Sequence, residues 1–264
     1  YKTNCMRKTD FLHTSSDRWL IVLCALALVG YFSVITFWFT IQNWWLYSIL
    51  LFGQVYFLFQ GLTYLYSVWD MRPRRQRVDP SFKPTVDVFI TVCGEPVELI
   101  EKTVVAATAM AYEQKQIHIL NDGYVAGATN WREVETLAAN HGVNCITRTK
   151  PGGAKAGNIN HALTLTEAPI VVVLDADHIP RPYLLSNLIS PFQDEQIGYV
   201  QSPQYYYNHR QNAVTEAAWS QQQLFFGAIN RGRSRTTSNT MCGTNMAIRR
   251  SVLEAVGGMD ETNI

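Results

Sequence analysis

Two apolar runs dominate the front of the chain. No charged residue lies from Trp19 to Ile41, and none from Trp44 to Trp69, with only Gln42 and Asn43 between the runs. A helix needs about 20 residues to cross a hydrocarbon core of about 30 Å. Each run therefore predicts a membrane-crossing helix, over 19–41 and 44–69, the two joined as a tight hairpin. The plainer alternative is a hairpin buried inside a large soluble protein. Lys2, Arg7, Lys8 and Arg18 precede the hairpin, Arg72, Arg74, Arg75 and Arg77 follow it, and the loop between has no basic residue. Basic residues stay on the cytosolic side, so both ends and everything after Trp69 are expected in the cytosol. Trp38, Trp44 and Trp45 would then form an aromatic belt at the far interface.

Beyond a basic, proline-broken linker the pattern changes. Strands are predicted at Val86–Val92, Ile117–Leu120, Asn144–Thr147 and Ile170–Leu174, with helices at Pro96–Ala111, Trp131–Asn140 and Ala156–Leu165 between them. Such alternation predicts a mostly parallel sheet with helices on both faces. Ligands of such sheets gather beyond the carboxyl ends of the strands, so the polar residues there matter most. The expected organisation is a cytosolic segment 1–18, the hairpin, a linker 70–84 and a cytosolic domain 85–264.

Composition and charge change this picture little. The net charge of +1, from 22 basic and 21 acidic residues, offers no field for nucleic acid. Cys5, Cys24, Cys93, Cys145 and Cys242 are widely spaced with no C-x-x-C pair. That argues for reduced cytosolic thiols over disulfides or a zinc site. The first run is too long for a signal peptide and is followed at once by a second. A start at Tyr1 and a stop at Ile264, just past a Gly-Gly turn, read as a fragment at both ends.

Three strands end in groups suited to a nucleoside diphosphate: Cys93-Gly94-Glu95-Pro96, Asn121-Asp122-Gly123 and Asp175-Ala176-Asp177-His178. Asp175 and Asp177 point the same way on an extended chain, and two converging carboxylates repel unless a cation sits between them. Mg2+ and Mn2+ take one or two carboxylates and complete their shells with phosphate oxygens and water. A departing diphosphate needs such a cation, whose Lewis-acid stabilisation is worth several kcal/mol. The bland alternative is a solvated strand end or helix cap. Lys150-Pro-Gly-Gly-Ala-Lys-Ala-Gly-Asn158 leads a loop into a helix, where free N–H groups and the macrodipole attract anions. It is neither a P-loop nor a G-x-G-x-x-G fingerprint, and alone it would be a turn and a cap. Asp122 alone would be a turn residue.

The ordered set V-D-V-F, N-D-G, A-K-A-G-N, D-A-D-H, Q-S-P-Q and C-G-T-N resembles the processive family 2 glycosyltransferases. The likeness is greatest to cellulose synthase catalytic subunits, with hyaluronan, chitin and poly-N-acetylglucosamine synthases more distant. It covers Thr85 to Glu261 and the preceding helices. The resemblance implies an α/β glycosyltransferase type A fold, Rossmann-like, preceded by a transmembrane hairpin. It also implies a multi-pass protein of the plasma (inner) membrane that polymerises a β-glycan, β-glucan or cellulose, from UDP-glucose with Mg2+ or Mn2+. Its partners would be the UDP-sugar, the growing glycan, the bilayer and accessory subunits of a synthase complex. On the matching positions Asp122 looks like the residue on the uracil ring, Lys155 like the lysine on the diphosphate, with Asn158 beside it. Asp175 looks nucleotide-facing and metal-binding, and Asp177 metal-binding. Gln201 to Gln204 and Cys242-Gly243-Thr244-Asn245 resemble segments lining the acceptor end of the glycan.

Two departures stand out. Where the family carries threonine-tyrosine-asparagine-glutamate, this chain has Val92-Cys93-Gly94-Glu95, so only Glu95 matches. The T-E-D segment with the general base and the Q-x-x-R-W motif are expected beyond Ile264, so no catalytic residue is assigned and the fragment is expected to hold donor without turnover. Competing readings are a non-processive transferase acting on a lipid carrier and a non-catalytic membrane scaffold. A phosphatase with Asp175 as nucleophile would form an aspartyl-phosphate. His178 is expected as a helix cap and His118 as a packed core histidine. Arg231, Arg233 and Arg235 are expected in a solvated loop. Tyr205, Tyr206 and Tyr207 suit either sugar stacking or core packing, and Trp219 and Phe225-Phe226 would face the core or the membrane surface.

Overall fold

A computed structural model describes residues 18–38, 40–70, 79, 81–236 and 238–262. The basic linker charges, Lys2, Arg7, Lys8 and Cys5 lie outside the described residues. The chain divides into two compact units: residues 1–75 with 203–240, and residues 76–202 with 241–264. The expected single domain over 85–264 is thus interrupted, since its 203–240 stretch groups with the hairpin.

The first unit is helical. Helices α1 (Arg18–Phe37) and α2 (Trp44–Val68) are long and apolar enough to cross a membrane. They form the expected hairpin, with Tyr47 Oη donating to the Thr36 carbonyl at 2.9 Å. Asn43 starts α2, its side chain accepting from the amides of Trp45 and Leu46, two of the donors a helix start leaves unpaired. Large apolar side chains face outward along both helices: Phe52 is 79% exposed and Phe57 71%. Helix α7 (Ala213–Gln222) runs into a π-helical stretch, Gln223–Asn230, and the short α8 (Arg231–Arg233). The three arginines lie in α8 and the 3-10 turn Ser234–Thr236 that follows it, not in a loop, and of the three only Arg233 is exposed. A Cβ on Gly232 would stand 1.8 Å from the Ser67 carbonyl, and Arg235 lies 4.8 Å over the Tyr66 ring and donates to its carbonyl.

The second unit is a three-layer α/β sandwich. Strands β1 (Val86–Val92), β2 (Lys115–Asn121), β3 (Asn144–Thr147), β4 (Ile170–Asp175), β5 (Tyr199–Gln201) and β6 (Met246–Arg249) form one sheet in the order β3-β2-β1-β4-β6-β5. All pairs are parallel except those of β6, which runs against β4 and β5. The period of two along each strand sorts the core. Val86, Val88, Ile90, Ile117, Ile119, Val172 and Leu174 pack under helices α3 (Val97–Thr108), α4 (Trp131–Asn140) and α6 (Leu184–Ile189). Phe89, Leu120, Val171, Val173 and Met246 face helices α5 (Ala154–Leu163) and α9 (Arg250–Ala255).

Asp87 and His118 fall on that second face among apolar neighbours. Asp87 is 1% exposed; it meets His118 Nε2 at 3.1 Å and accepts from the Ala168 amide at 2.9 Å and Arg250 Nη2 at 3.0 Å. His118 is buried as expected, but as one arm of this ionic network. Helix α5 begins two residues ahead of the expected start because Gly153, at φ 64°, turns the chain into it, a left-handed conformation glycine adopts without steric cost.

Candidate active site

The parallel strands β1, β2, β3 and β4 deliver Val92, Asn121, Thr147 and Asp175 to one edge of the sheet. The Thr91 hydroxyl of β1 reaches across to the Leu174 carbonyl and to Asp175 Oδ1, both at 3.3 Å. The Asp175 amide donates to Thr244 Oγ1 at 3.1 Å and to His178 Nδ1 at 3.2 Å, and Thr244 Oγ1 lies 2.9 Å from that same nitrogen. Accepting at Nδ1 assigns the His178 proton to Nε2, which faces Asp177 Oδ1 at 3.8 Å. His178 therefore braces the D-x-D turn and caps no helix, since the residue preceding α6 is Tyr183.

Lys155, on the first turn of α5, donates to Asp175 Oδ1. Both partners are more than a third exposed, so the pair stands open to solvent. One ligand atom each from Asp175, Asp177 and His178 lie within 4.8 Å of one another. Two acceptor-only carboxylates suit a hard oxygen-seeking cation, so this donor set fits Mg2+ or Mn2+.

Asp122 and Arg148 form the second half of the edge. Asp122 is 6% exposed and Arg148 7%. Arg148 Nε donates to Asp122 Oδ1 at 2.8 Å and Nη2 to Oδ2 at 2.7 Å, the planar two-pronged match that guanidinium makes with carboxylate. Sequence reasoning missed Arg148. Its signal was a basic residue one position beyond β3, beside the strand that presents Asp122.

The loop after β1 is shaped by Gly94, at φ 102°, where a Cβ would meet Ala128 at 2.9 Å. Glu95 turns back, its carboxylate accepting from the Cys93 amide at 2.6 Å. The Cys93 thiol is pushed up, first by burial and then by the charges of Asp122 and Glu95, and burial also raises Cys242. Neither thiol is activated as a thiolate.

Asn158 is buried, 2% exposed, its amide donating to the Leu120 carbonyl at 3.0 Å. It pins α5 to β2. Gln201 clasps the C-G-T-N turn: Nε2 donates to the Thr244 carbonyl at 2.8 Å and Oε1 accepts from the Cys242 amide at 2.9 Å. Gly243, at φ 76°, completes the turn that seats Thr244 under Asp175. Gln204 and the three tyrosines belong to the helical unit. Tyr205, Tyr206 and Tyr207 are 47%, 45% and 85% exposed, which overturns the core-packing alternative.

These features define an α/β protein that brings a lysine–aspartate pair and a cluster able to hold a metal ion to the carboxyl edge of a mostly parallel sheet. The profile of glycosyl transferase family 2 matches residues 87–257, and the chain belongs to that family. The UDP-forming cellulose synthase catalytic subunit of Xanthomonas axonopodis pv. citri is 32% identical over 212 residues, 77% of this chain and 28% of that protein. Its counterpart in Pseudomonas fluorescens is 31% identical over 205 residues, 74% of this chain and 27% of that one. The chain thus spans little more than a quarter of the length of these relatives. A mannosyltransferase from Pyrobaculum calidifontis, solved with GDP-mannose and Mn2+, shares the fold at TM-score 0.56 and 18% identity, over 92% of this chain and 60% of that one. The type A glycosyltransferase fold expected from the sequence is the fold observed.

Proposed function

We propose that this chain is the donor-binding part of a membrane-embedded, inverting glycosyltransferase that polymerises a β-glucan of the cellulose type from UDP-glucose at the cytosolic face. The observation that carries this reading is the meeting of Lys155, Asp175 and Asp177 at one sheet edge, beside the fork of Asp122 and Arg148. The relatedness to cellulose synthases supports the sugar, and the outward apolar faces of α1 and α2 support the bilayer, since a soluble surface rarely exposes so much contiguous apolar area. Growing glycan and accessory subunits are the further partners on this reading.

Asp175 and Asp177 would hold Mg2+ or Mn2+, which when bound supplies Lewis-acid stabilisation of the departing diphosphate. Lys155 would turn from Asp175 to the diphosphate, adding a positive charge where negative charge develops. Asp122 would accept from the nucleobase, and Glu95 would border it. Gln201 and the turn Cys242-Gly243-Thr244 would fix the floor on which the acceptor sugar sits. The acceptor hydroxyl attacks the anomeric carbon in line. Its proton would pass to a general-base carboxylate.

Calorimetric titration of the detergent-purified chain with UDP and with GDP, in Mn2+, tests the donor class. Tighter binding of UDP supports the proposal. Tighter binding of GDP would move it to a mannan-type product, and binding of neither by folded protein would remove the donor site.

A further inference from the structure

We propose that Arg148 is the positioning residue that ties the base-binding aspartate to the diphosphate-binding lysine, so that the two ends of the nucleotide site are set by one buried guanidinium. The inference rests on the donor-site reading above. Nothing in the sequence motifs marks this residue, and its burial keeps it from solvent and from a role as an open phosphate clamp.

Four contacts leave it. Nε and Nη2 grip both oxygens of Asp122, at the end of β2. Nη1 donates to the Gly152 carbonyl, and Nη2 also donates to the Ala154 carbonyl at 3.1 Å. Gly152 and Ala154 flank Gly153, the left-handed residue from which α5 starts, and Lys155 is the next residue along. The backbone of Arg148 is itself fixed, its amide donating to the Asn121 carbonyl at 3.2 Å. Any shift of the guanidinium therefore moves Asp122 and the start of α5 together.

The glycine of A-K-A-G-N is explained by the same group. A Cβ on Gly157 would stand 2.2 Å from the Gly152 carbonyl oxygen and 2.7 Å from Arg148 Nη1. Only glycine leaves room for the loop and the guanidinium to close over α5. A lysine at 148 would keep the charge but not the fork, and arginine and lysine are not interchangeable at two-pronged sites.

The test is calorimetry of UDP, uridine and pyrophosphate in Mn2+ on the wild-type chain, Arg148→Lys and Gly157→Ala, each checked for native circular dichroism. Both variants should lose UDP affinity by about tenfold or more, the scale on which supporting residues of a binding site act, and should weaken uridine and pyrophosphate together. For a folded Arg148→Ala, added guanidinium ion should restore part of the UDP affinity, which a merely structural role would not produce. If Arg148→Lys does not fold, Gly157→Ala decides, because it displaces the fork together with the Gly152 carbonyl the fork holds, without removing any charge. Wild-type UDP affinity in either folded variant overturns the inference, as does weakening confined to one end of the nucleotide. Failure of the wild-type chain to bind UDP would instead overturn the donor-site reading itself.

Discussion

Lys155 Nζ donates to Asp175 Oδ1, joining the first turn of α5 to the end of β4 across the carboxyl edge of the sheet. The pair is 38% and 36% exposed at its side chains. Solvent screening limits exposed pairs of this kind to about 0–1 kcal/mol, so this one contributes little to stability. On the proposed donor-site reading, its role is to hold an ammonium where the diphosphate would sit.

Replacing Lys155 by methionine should therefore separate binding from stability. Calorimetry should show UDP affinity in Mn2+ falling by about tenfold or more, the loss of one charge-assisted hydrogen bond. The thermal midpoint should stay within about 2 °C of wild type, as for an exposed pair. A large fall in the midpoint with unchanged affinity would assign Lys155 to the fold.

Thr244→Ala removes the hydroxyl that receives the Asp175 amide and meets His178 Nδ1. Partners of this kind cost about 10- to 100-fold in metal affinity when lost. Mn2+ binding followed by electron paramagnetic resonance should weaken on that scale, and Thr244→Ser should recover most of it. Equal affinity in all three proteins would detach the C-G-T-N turn from the metal site.

Asp87→Asn tests the opposite edge of the same sheet. Burial alone would push the Asp87 carboxyl up, but hydrogen bonds from His118 and the Ala168 amide, with the charge of His118, outweigh it and hold the carboxyl below its ordinary value. A depressed carboxylate stabilises the fold above its unfolded pKa of about 3.9 and loses that contribution as pH falls through the folded value. At pH 7 the variant leaves Arg250 buried without its carboxylate, at a cost of about 3–5 kcal/mol. Denaturant unfolding should show that gap closing below about pH 4, while UDP affinity of the folded variant stays at the wild-type level.

How far the site was legible depended on where each residue lies in the pattern. The central strands could be read because Val86–Val92 and Ile170–Leu174 are buried on both faces and bounded by turn residues. Strand β3, only four residues long, was still legible from its place in the strand–helix alternation, whereas β5 and β6, of three and four residues, fall outside it, β6 running antiparallel to its neighbours. Asp175 and Asp177 were visible as a pair close in sequence. Arg148 and Asp122 lie 26 residues apart and meet only because β3 pairs beside β2, so their fork appears only in three dimensions. His178 reads as a cap in one dimension because its partner Thr244 comes 66 residues later.

The hairpin makes its own prediction. Phe52 is 79% exposed on α2. On a water-facing surface Phe52→Arg would be neutral, whereas arginine at the centre of a spanning helix costs about 2.5–3.5 kcal/mol. After alkaline carbonate extraction the wild-type chain should stay in the membrane pellet, and Phe52→Arg combined with Leu26→Arg on α1, itself 63% exposed, should shift the chain toward the supernatant. Wild-type chain in the supernatant would contradict the spanning assignment.

The proposed donor site rests on two aspartates that hold a divalent cation against a nucleoside diphosphate. Its most direct test is UDP calorimetry with and without Mn2+ on the wild-type chain and on Asp177→Ala, whose carboxylate is 64% exposed and therefore dispensable for folding. Mn2+-dependent binding is expected in the wild type, and its loss in the variant. Binding indifferent to both the metal and the substitution would contradict it.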